Sequence, residues 1–551
     1  MCSTKAPDGK LVAPSFQIHA HQVEKLPPCQ AQCPNSGDIR GWLGVIAQHH
    51  KNGLTLDEAY DKAWGILTER NPLPATIARI CPHPCEDLCS RNEKDGAVSI
   101  NAMERFLGDW GLSRSLKLPR KGTRRHAESI AAVGSGPASL SFAYQMARRG
   151  YDVTIYEQAT IPGGMLRQAI PDYRLPREVL DAEVERMLDL NISFVWEADV
   201  GGVVSLEELR GRHALVFLGL GAQSARQLGI PGENGPGVSS GIDYLRQRKQ
   251  QPQSHRGERV VVIGGGNTAI DTARCARRDG ADVTVLYRRG EAEMPAAAQE
   301  VDDARTEGVQ FRFLVAPAEI VRDGGRVQHV VVQPMHLGEP GAGGRRRPIP
   351  SGDLPQEVPA DLVIVAVAQA PDWQGMGALA TAEEWLHANT DGKVGDNVWA
   401  GGDARGPGLA GAAIAHGRFA AEAAHAELRG LPRTDRAGAR PVDKGAIRTD
   451  HFAAQERSQE HRRPPEEWLQ DPEVEIDQTI TYEQAHEEAA RCMSCGLCFD
   501  CQQCFMYCNG AGFTRIEETS PGNYFALALD ACEGCGKCIE ICPCGYIESR
   551  Q

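Results

Sequence analysis

Two cysteine runs close to the C-terminus restrict this chain more than any other feature. Cys498, Cys501, Cys504 and Cys508 stand in a C-x2-C-x2-C-x3-C pattern, and Cys532, Cys535, Cys538 and Cys542 repeat it, with Pro543 following. In that spacing three thiolates wrap one iron–sulfur cubane while the fourth reaches across to a second. The expected pairing puts Cys498, Cys501, Cys504 and Cys542 on one [4Fe-4S] cluster, and Cys508, Cys532, Cys535 and Cys538 on another. Cys492 and Cys495 are left over just upstream, and Cys544 and Cys2 have no role in this scheme.

The cysteine distribution extends the argument to the other end. Of 18 cysteines, five fall between Cys29 and Cys89, eleven between Cys492 and Cys544, and Cys275 stands alone in the middle, as expected of a packed core thiol. Met1-Cys2-Ser3-Thr4-Lys5 lacks a signal-peptide core, so thiols kept for metal in a reducing cytoplasm fit better than a disulfide scaffold. The longest apolar runs, such as 362–368, are strand length and too short to span a bilayer. A net charge of −14 argues against nucleic acid or an anionic membrane as partner. Arg345, Arg346 and Arg347 are expected on a solvated loop. At 551 residues the chain needs several cores.

The middle carries two strand–glycine turn–helix–strand units. In the first, Val133-Gly134-Ser135-Gly136-Pro137-Ala138-Ser139 leads to a strand ending at Glu157. The free N–H groups of the helix suit a pyrophosphate, and Glu157 suits a ribose hydroxyl. Ser139 replaces the usual third small residue and is still small enough for close packing. The second unit opens on Gly264-Gly265-Gly266-Asn267-Thr268 and ends at Arg288 and Arg289. Two such folds about 130 residues apart, the second inserted in the first, are the layout of enzymes binding FAD and a nicotinamide. The first fold resumes at Gly401-Gly402-Asp403, where Asp403 faces a ribityl hydroxyl, caps the helix read over 411–428, or does both. No redox CxxC follows the first glycine turn, which speaks against dithiol reductase chemistry.

These motifs resemble the glutamate synthase small-subunit family of flavoproteins. The resemblance covers roughly residues 25–428 and includes Cys29-x3-Cys33-Pro34, Asn71-Pro72-Leu73-Pro74, Cys81-x3-Cys85-Glu86, Pro162-Gly163-Gly164-Met165, Pro171 through Arg174 to Pro176, and Gly264 through Asp271. It implies flavin contacts from Gly164, Met165 and Arg174. It also implies a first cluster held by Cys33, Cys81, Cys85 and a non-cysteine ligand, for which Glu104 stands at the matching position. The family's second cluster uses an upstream CxxC with cysteines matching Cys29 and Cys89, and residues 15–28 contain no such pair. The segment around Cys492 and Cys495 is similar to that missing piece. It is expected to fold back, in the same chain or from a second protomer, onto Cys29 and Cys89; otherwise His19 or His21 would have to serve. His83 either tunes the neighbouring cluster or faces solvent.

The fold expected is α/β, with two nested dinucleotide-binding (three-layer ββα) domains between an N-terminal α-helical Fe–S domain and a C-terminal ferredoxin-like 2[4Fe-4S] domain. The boundaries are 1–126 helical, 127–255 and 376–430 FAD-binding, 256–375 NAD(P)-binding, 431–490 linker and 491–551 ferredoxin-like. The cofactors expected are FAD, NADH or NADPH, and four [4Fe-4S] clusters. The function implied is an NAD(P)H:acceptor oxidoreductase that passes electrons in either direction between NAD(P)H, FAD, the clusters and a redox protein. Glu291 opposes a 2′-phosphate, so the lean is to NADH with NADPH usable. With its added tail the arrangement is similar to flavoproteins that accompany dissimilatory sulfite reductase in sulfur oxidation, which makes that reductase the expected partner. The alternatives are a glutamate synthase small subunit, an NAD(P)H:ferredoxin oxidoreductase, and a non-catalytic electron-storage subunit. Family resemblance also allows a homodimer.

Overall fold

The computed structural model describes residues 18–251, 253–341, 344–376, 379, 385–433 and 439–549. Met1 to Lys5, read above for targeting, and Cys2 lie outside them. The chain forms two units: residues 1–119, 432–461 and 479–551 make the first, and residues 120–431 with 462–478 make the second.

The first unit joins the two cysteine-rich ends. Its helices start where the sequence offers caps. Asp38 accepts from Gly41 N at 3.1 Å ahead of the helix Ile39–Ala47, and Thr55 with Glu58 forms a capping box ahead of Leu56–Thr68. Trp42, Leu43, Ile46, Tyr60, Met103 and Leu107 then share one core. The strand Ala20–Gln22 pairs antiparallel with Ile547–Ser549, so the two ends of the chain close on each other. Lys25 N donates to Gly496 O at 3.0 Å, and the Gln22 amide donates to Phe525 O at 2.8 Å.

The second unit holds two parallel sheets. One has six strands in the order Lys393–Gly395, Val398–Ala400, Leu215–Leu218, Ser129–Val133, Asp152–Tyr156, Ile192–Val195, with only the first pair antiparallel. The strand at 398 beside the strand at 215 shows the nesting, because a separate five-stranded domain is inserted between them in sequence. That domain has five parallel strands, Gln310–Phe313, Asp282–Tyr287, Arg259–Ile263, Leu362–Val365 and Val238–Ser240. An antiparallel layer built on Val315–Asp323 and Arg326–Pro340 packs Ile320, Val330 and Val332 against Val261 and Val363. Helices cover the opposite face, giving the three-layer ββα arrangement.

Three expectations change. The inserted domain starts earlier than residue 256: Val238–Ser240 pairs with Leu362–Val365, and the helix Gly241–Gln250 buries Tyr244 and Leu245 against the helix Asn267–Arg278. The stretch 431–490 is not a free linker. Trp468 and Ile476 are buried in the core of the inserted domain, and Ile480, Ala485 and Ala489 in that of the first unit. Its few apolar residues are spaced to dock on existing cores rather than to form one. Finally, Arg346 and Arg347 are exposed but belong to the strand Arg346–Pro350, paired with Met335–Pro340, and not to a loop.

Candidate functional site

A cavity of about 210 Å³ opens at the C-terminal end of the six-stranded sheet. Gly134, Gly136, Pro137, Ala138, Glu157, Gly164, Met165, Gly402 and Asp403 all line it. Gly134 has φ +79°, and a Cβ there would lie 2.8 Å from Gly219 O, so the turn itself requires glycine. Gly136 is different. It caps the helix Pro137–Ala147 with ordinary backbone angles, and a Cβ on it would meet no protein atom within 4 Å. The open space leaves room for a bound group close to the backbone, and the helix N-terminus beside it suits a pyrophosphate. Glu157 ends its strand and accepts from Ser135 N at 2.7 Å and Ala159 N at 2.8 Å, which fixes its carboxylate at the rim. These residues fit FAD. Asp403 does not cap the following helix, whose N-cap is Leu409; its carboxylate accepts from Gly408 N at 3.2 Å, and burial raises its pKa. Arg174 is not among the lining residues. Its guanidinium pairs with the buried Asp271 at 2.7 Å and the half-buried Glu300 at 3.2 Å.

A larger cavity of about 590 Å³ lies over the five-stranded sheet, lined by Gly264, Gly265, Gly266, Thr268, Arg288, Arg289 and Arg345. A Cβ on Gly266 would meet only Pro295, at 3.9 Å, so this turn too is shaped for a ligand. Asn267 turns its side chain to Ala297 N at 3.0 Å instead of lining the cavity. Arg289 Nε donates to Arg346 O at 2.7 Å, tying the nucleotide turn to the strand that follows Arg345. Glu291 pairs with Arg305 at 2.6 Å, which offsets its charge.

In the first unit the cysteines gather in four sets. Cys33, Cys81, Cys85 and Glu104 are mutual neighbours, and burial raises Cys81 to about 12 with Glu104 as the next contributor. Glu104, on the helix Ile100–Ser113, is half-buried, and desolvation pushes its pKa up to about 7, while Asn71 donates to it at 2.9 Å. The His83 ring is exposed, but its backbone N–H donates to Cys81 Sγ at 3.4 Å, with His83 at φ 43°. Solvent exposure and hydrogen bonding to the site therefore coexist, through the main chain.

Cys29, Cys89, Cys492 and Cys495 line a third cavity with Arg40 and Arg91, all from one chain. Burial is the main cause that raises Cys29, followed by the charges of Cys492, Cys495 and Cys89. Cys495 Sγ lies 3.4 Å from Ser90 Oγ, and Arg40 Nη1 donates to Cys495 O at 2.8 Å. His19 and His21 do not line it. In the tail, Cys498, Cys501, Cys504 and Cys542 surround a fourth cavity, and Cys538 has Cys532, Cys535 and Cys508 as neighbours. Among the described residues no three His, Cys, Asp or Glu side chains are placed to hold a single metal ion. Thiols spread around a cavity suit a cubane, which is larger than one ion and takes one ligand at each iron.

The domain description "Pyridine nucleotide-disulphide oxidoreductase" matches residues 128–417, more than half of the chain. The chain belongs to that family. Residues 23–116 match dihydropyrimidine dehydrogenase domain II, a 4Fe-4S domain. This oxidoreductase is 33% identical to the glutamate synthase [NADPH] small chain of Escherichia coli over 72% of its own length and 87% of that protein's. It is 37% identical to the NADPH-Fe(3+) oxidoreductase subunit beta of Geobacter sulfurreducens, but spans only 52% of that protein. The fold is that of FprA from Mycobacterium tuberculosis, with a TM-score of 0.50 at 20% identity over 67% of this chain and 99% of that one. The chain is thus a glutamate synthase small-subunit-like flavin oxidoreductase with an iron–sulfur domain. Among its described residues no helix is long and apolar enough to cross a membrane.

Several side chains at these sites escaped the sequence reading. Asn71 was visible only as part of the Asn71-Pro72-Leu73-Pro74 motif. Arg40, Arg91, Glu488 and Arg491 are charged residues with no pattern to mark them as buried. His416 accepts from Gly402 N at 3.2 Å on the flavin side, and burial keeps its pKa low.

Proposed function

We propose that this oxidoreductase carries electrons between NAD(P)H and a redox protein through four iron–sulfur clusters. Cys33, Cys81, Cys85 and Glu104 would hold the first, Cys29, Cys89, Cys492 and Cys495 the second, and the two tail sets the others. When bound, FAD exchanges a hydride for single electrons, which clusters accept one at a time. The observation that carries this reading is the position of Cys492 and Cys495 beside Cys29 and Cys89. Neighbouring sets then share short pieces of chain. Cys29 and Cys33 bracket one helical turn, Cys495 and Cys498 one loop, and Cys504 and Cys508 the end of the short helix Gln503–Met506. A relay with such short links suits electron conduction, not storage alone. Since the second set forms within one chain, it needs no homodimer. The reading also requires a reducing compartment such as the cytoplasm.

Anaerobic purification of a Cys492→Ala/Cys495→Ala variant, with iron counted per flavin, tests this. One cluster's worth of iron, about a quarter of the total, should be lost while NAD(P)H still reduces the flavin. An unchanged ratio removes the second set from the proposal.

For the nicotinamide we keep NADH ahead of NADPH on the ground of Glu291, although relatives carry NADPH in their names. For the partner we propose a sulfite reductase of the dissimilatory type, because the arrangement of the chain and its added ferredoxin-like tail resemble the iron–sulfur flavoprotein DsrL. The second reading is a glutamate synthase small chain, favoured by the match over 87% of that protein. Reoxidation of the reduced protein by purified sulfite reductase, compared with a glutamate synthase large chain, separates the two.

A further inference from the structure

Cys544 is the tail thiol that neither cysteine run employs, yet it is not remote from them. Its sulfur lies 3.8 Å from that of Cys542, both side chains are buried, and both line the cavity surrounded by Cys498, Cys501 and Cys504. The segment that carries the pair is held on each side. Pro543 restricts the backbone between them, its carbonyl accepts from Arg448 N at 3.0 Å, and the Cys544 carbonyl accepts from Gly496 N at 2.6 Å. Gly496 directly follows Cys495 of the neighbouring set. Cys544 therefore sits where two of the four sets adjoin.

A cubane has one open ligand position per iron, and Cys498, Cys501, Cys504 and Cys542 already supply four thiols. A fifth thiol in contact with one of them has a different use. An S–H is a weak donor, and a metal-bound thiolate sulfur is a ready acceptor. A hydrogen bond to that sulfur draws negative charge off the cluster and favours its reduced state. We propose that Cys544 is a positioning residue whose S–H donates to the Cys542 sulfur and raises the reduction potential of the cluster held by Cys498, Cys501, Cys504 and Cys542. The inference rests on the reading of that set as a cluster given above. Its consequence is a sink for electrons arriving from the Cys29/Cys89/Cys492/Cys495 side, set by a single thiol.

The test is an EPR-monitored redox titration of the full-length holoprotein, with iron content measured in parallel, for the unmodified protein and the variants Cys544→Ala, Cys544→Ser and Cys501→Ala. Both Cys544 variants should keep the full iron complement. Cys544→Ala should move the midpoint of one cluster to lower potential and leave the rest in place, and Cys544→Ser, which retains a donor, should recover most of that shift. A midpoint unchanged in Cys544→Ala, or moved equally by both substitutions, reduces Cys544 to packing and overturns the proposal. Loss of iron in Cys544→Ala overturns it in another way, by making Cys544 a ligand. Full iron retention in Cys501→Ala would show that this set holds no cluster, and the underlying reading would fall whatever Cys544 does.

Discussion

Arg491 Nη1 donates to Glu488 Oε1 at 2.6 Å, and neither side chain is exposed to solvent. The same guanidinium donates to Ala97 O at 3.0 Å and Gly96 O at 2.8 Å, while Glu488 accepts from Ser99 N and Ser458 N, each at 2.7 Å. This pair joins the helix that leads into Cys492 to the loop that follows Cys89. It supplies the buried polar contacts that hold a C-terminal CxxC against N-terminal cysteines.

Removing Arg491 leaves Glu488 as an uncompensated buried charge, a cost of about 3–5 kcal/mol, and removing Glu488 takes the fully buried partner from Arg491 and leaves it Asp95 at 3.2 Å. Glu488→Gln and Arg491→Met are therefore each expected to lower the thermal midpoint sharply and to lose iron from the second set. Replacing both together should cost less than the sum of the two. Differential scanning calorimetry with iron analysis checks this, and simple additivity would contradict it.

Gly136 distinguishes fold from cofactor. A Cβ there meets no protein atom, so Gly136→Val should leave the folded protein intact by circular dichroism. Flavin content should fall severalfold, because the added methyls point into the space read as the pyrophosphate site. Normal flavin loading would displace that site.

Glu291 bears on nicotinamide choice. Its carboxylate pairs with Arg305 at the surface and its pKa is lowered, chiefly by that hydrogen bond. Glu291→Arg is expected to raise kcat/KM for NADPH about tenfold, or roughly 1.4 kcal/mol, with little change for NADH. Arg345→Ala should act oppositely, weakening NADPH more than NADH. Steady-state kinetics with both nucleotides reads each effect.

His425 gives the second unit an acid sensitivity. Burial, followed by the charges of Arg149, His126, Arg429 and Lys121, lowers its pKa to about 4, and its Nδ1 lies 3.0 Å from Tyr151 Oη. The unfolded chain would take up that proton near the ordinary value of about 6.5. Between those values the unfolded state binds more protons, so stability falls as pH drops through the window from about 6.5 to about 4. His425→Gln should flatten that part of a plot of melting temperature against pH.

Trp468 tests the reach of the segment once read as a linker. It is 3% exposed, and Arg274 and Arg278 lie 6.0 Å and 5.7 Å from its ring centre. Trp468→Ala should cost about 3–5 kcal/mol, as for other buried aromatics. A substitution without effect on the second unit's melting would make the docking incidental.

Much of this protein was legible in its sequence because the relevant signals are local. Cysteine spacing, glycine turns and the strand–turn–helix pattern around Gly134 and Gly264 act over ten residues or fewer, and each is dictated by ligand geometry or by backbone sterics. The swapped pairing of the tail cysteines follows from the same short-range rules. The start of the inserted domain at Val238 was not legible, since a three-residue strand carries little pattern and is fixed by its neighbour Leu362–Val365. The pairing of Arg174 with Asp271 and Glu300 was not legible either, because its motif does not reveal partners across the fold.

The cysteines left over at the start of the tail mark the division most clearly. Composition and spacing left Cys492 and Cys495 as a pair outside the two tail runs, and only the resemblance pointed to Cys29 and Cys89. The tertiary structure brings the four around one cavity, closing Ala20–Gln22 on Ile547–Ser549 and burying Arg491 against residues 95–97. Contacts spanning some 400 residues leave no periodicity in a sequence. They depend on which surfaces are apolar enough, and which buried charges well enough matched, to meet once the local elements have formed.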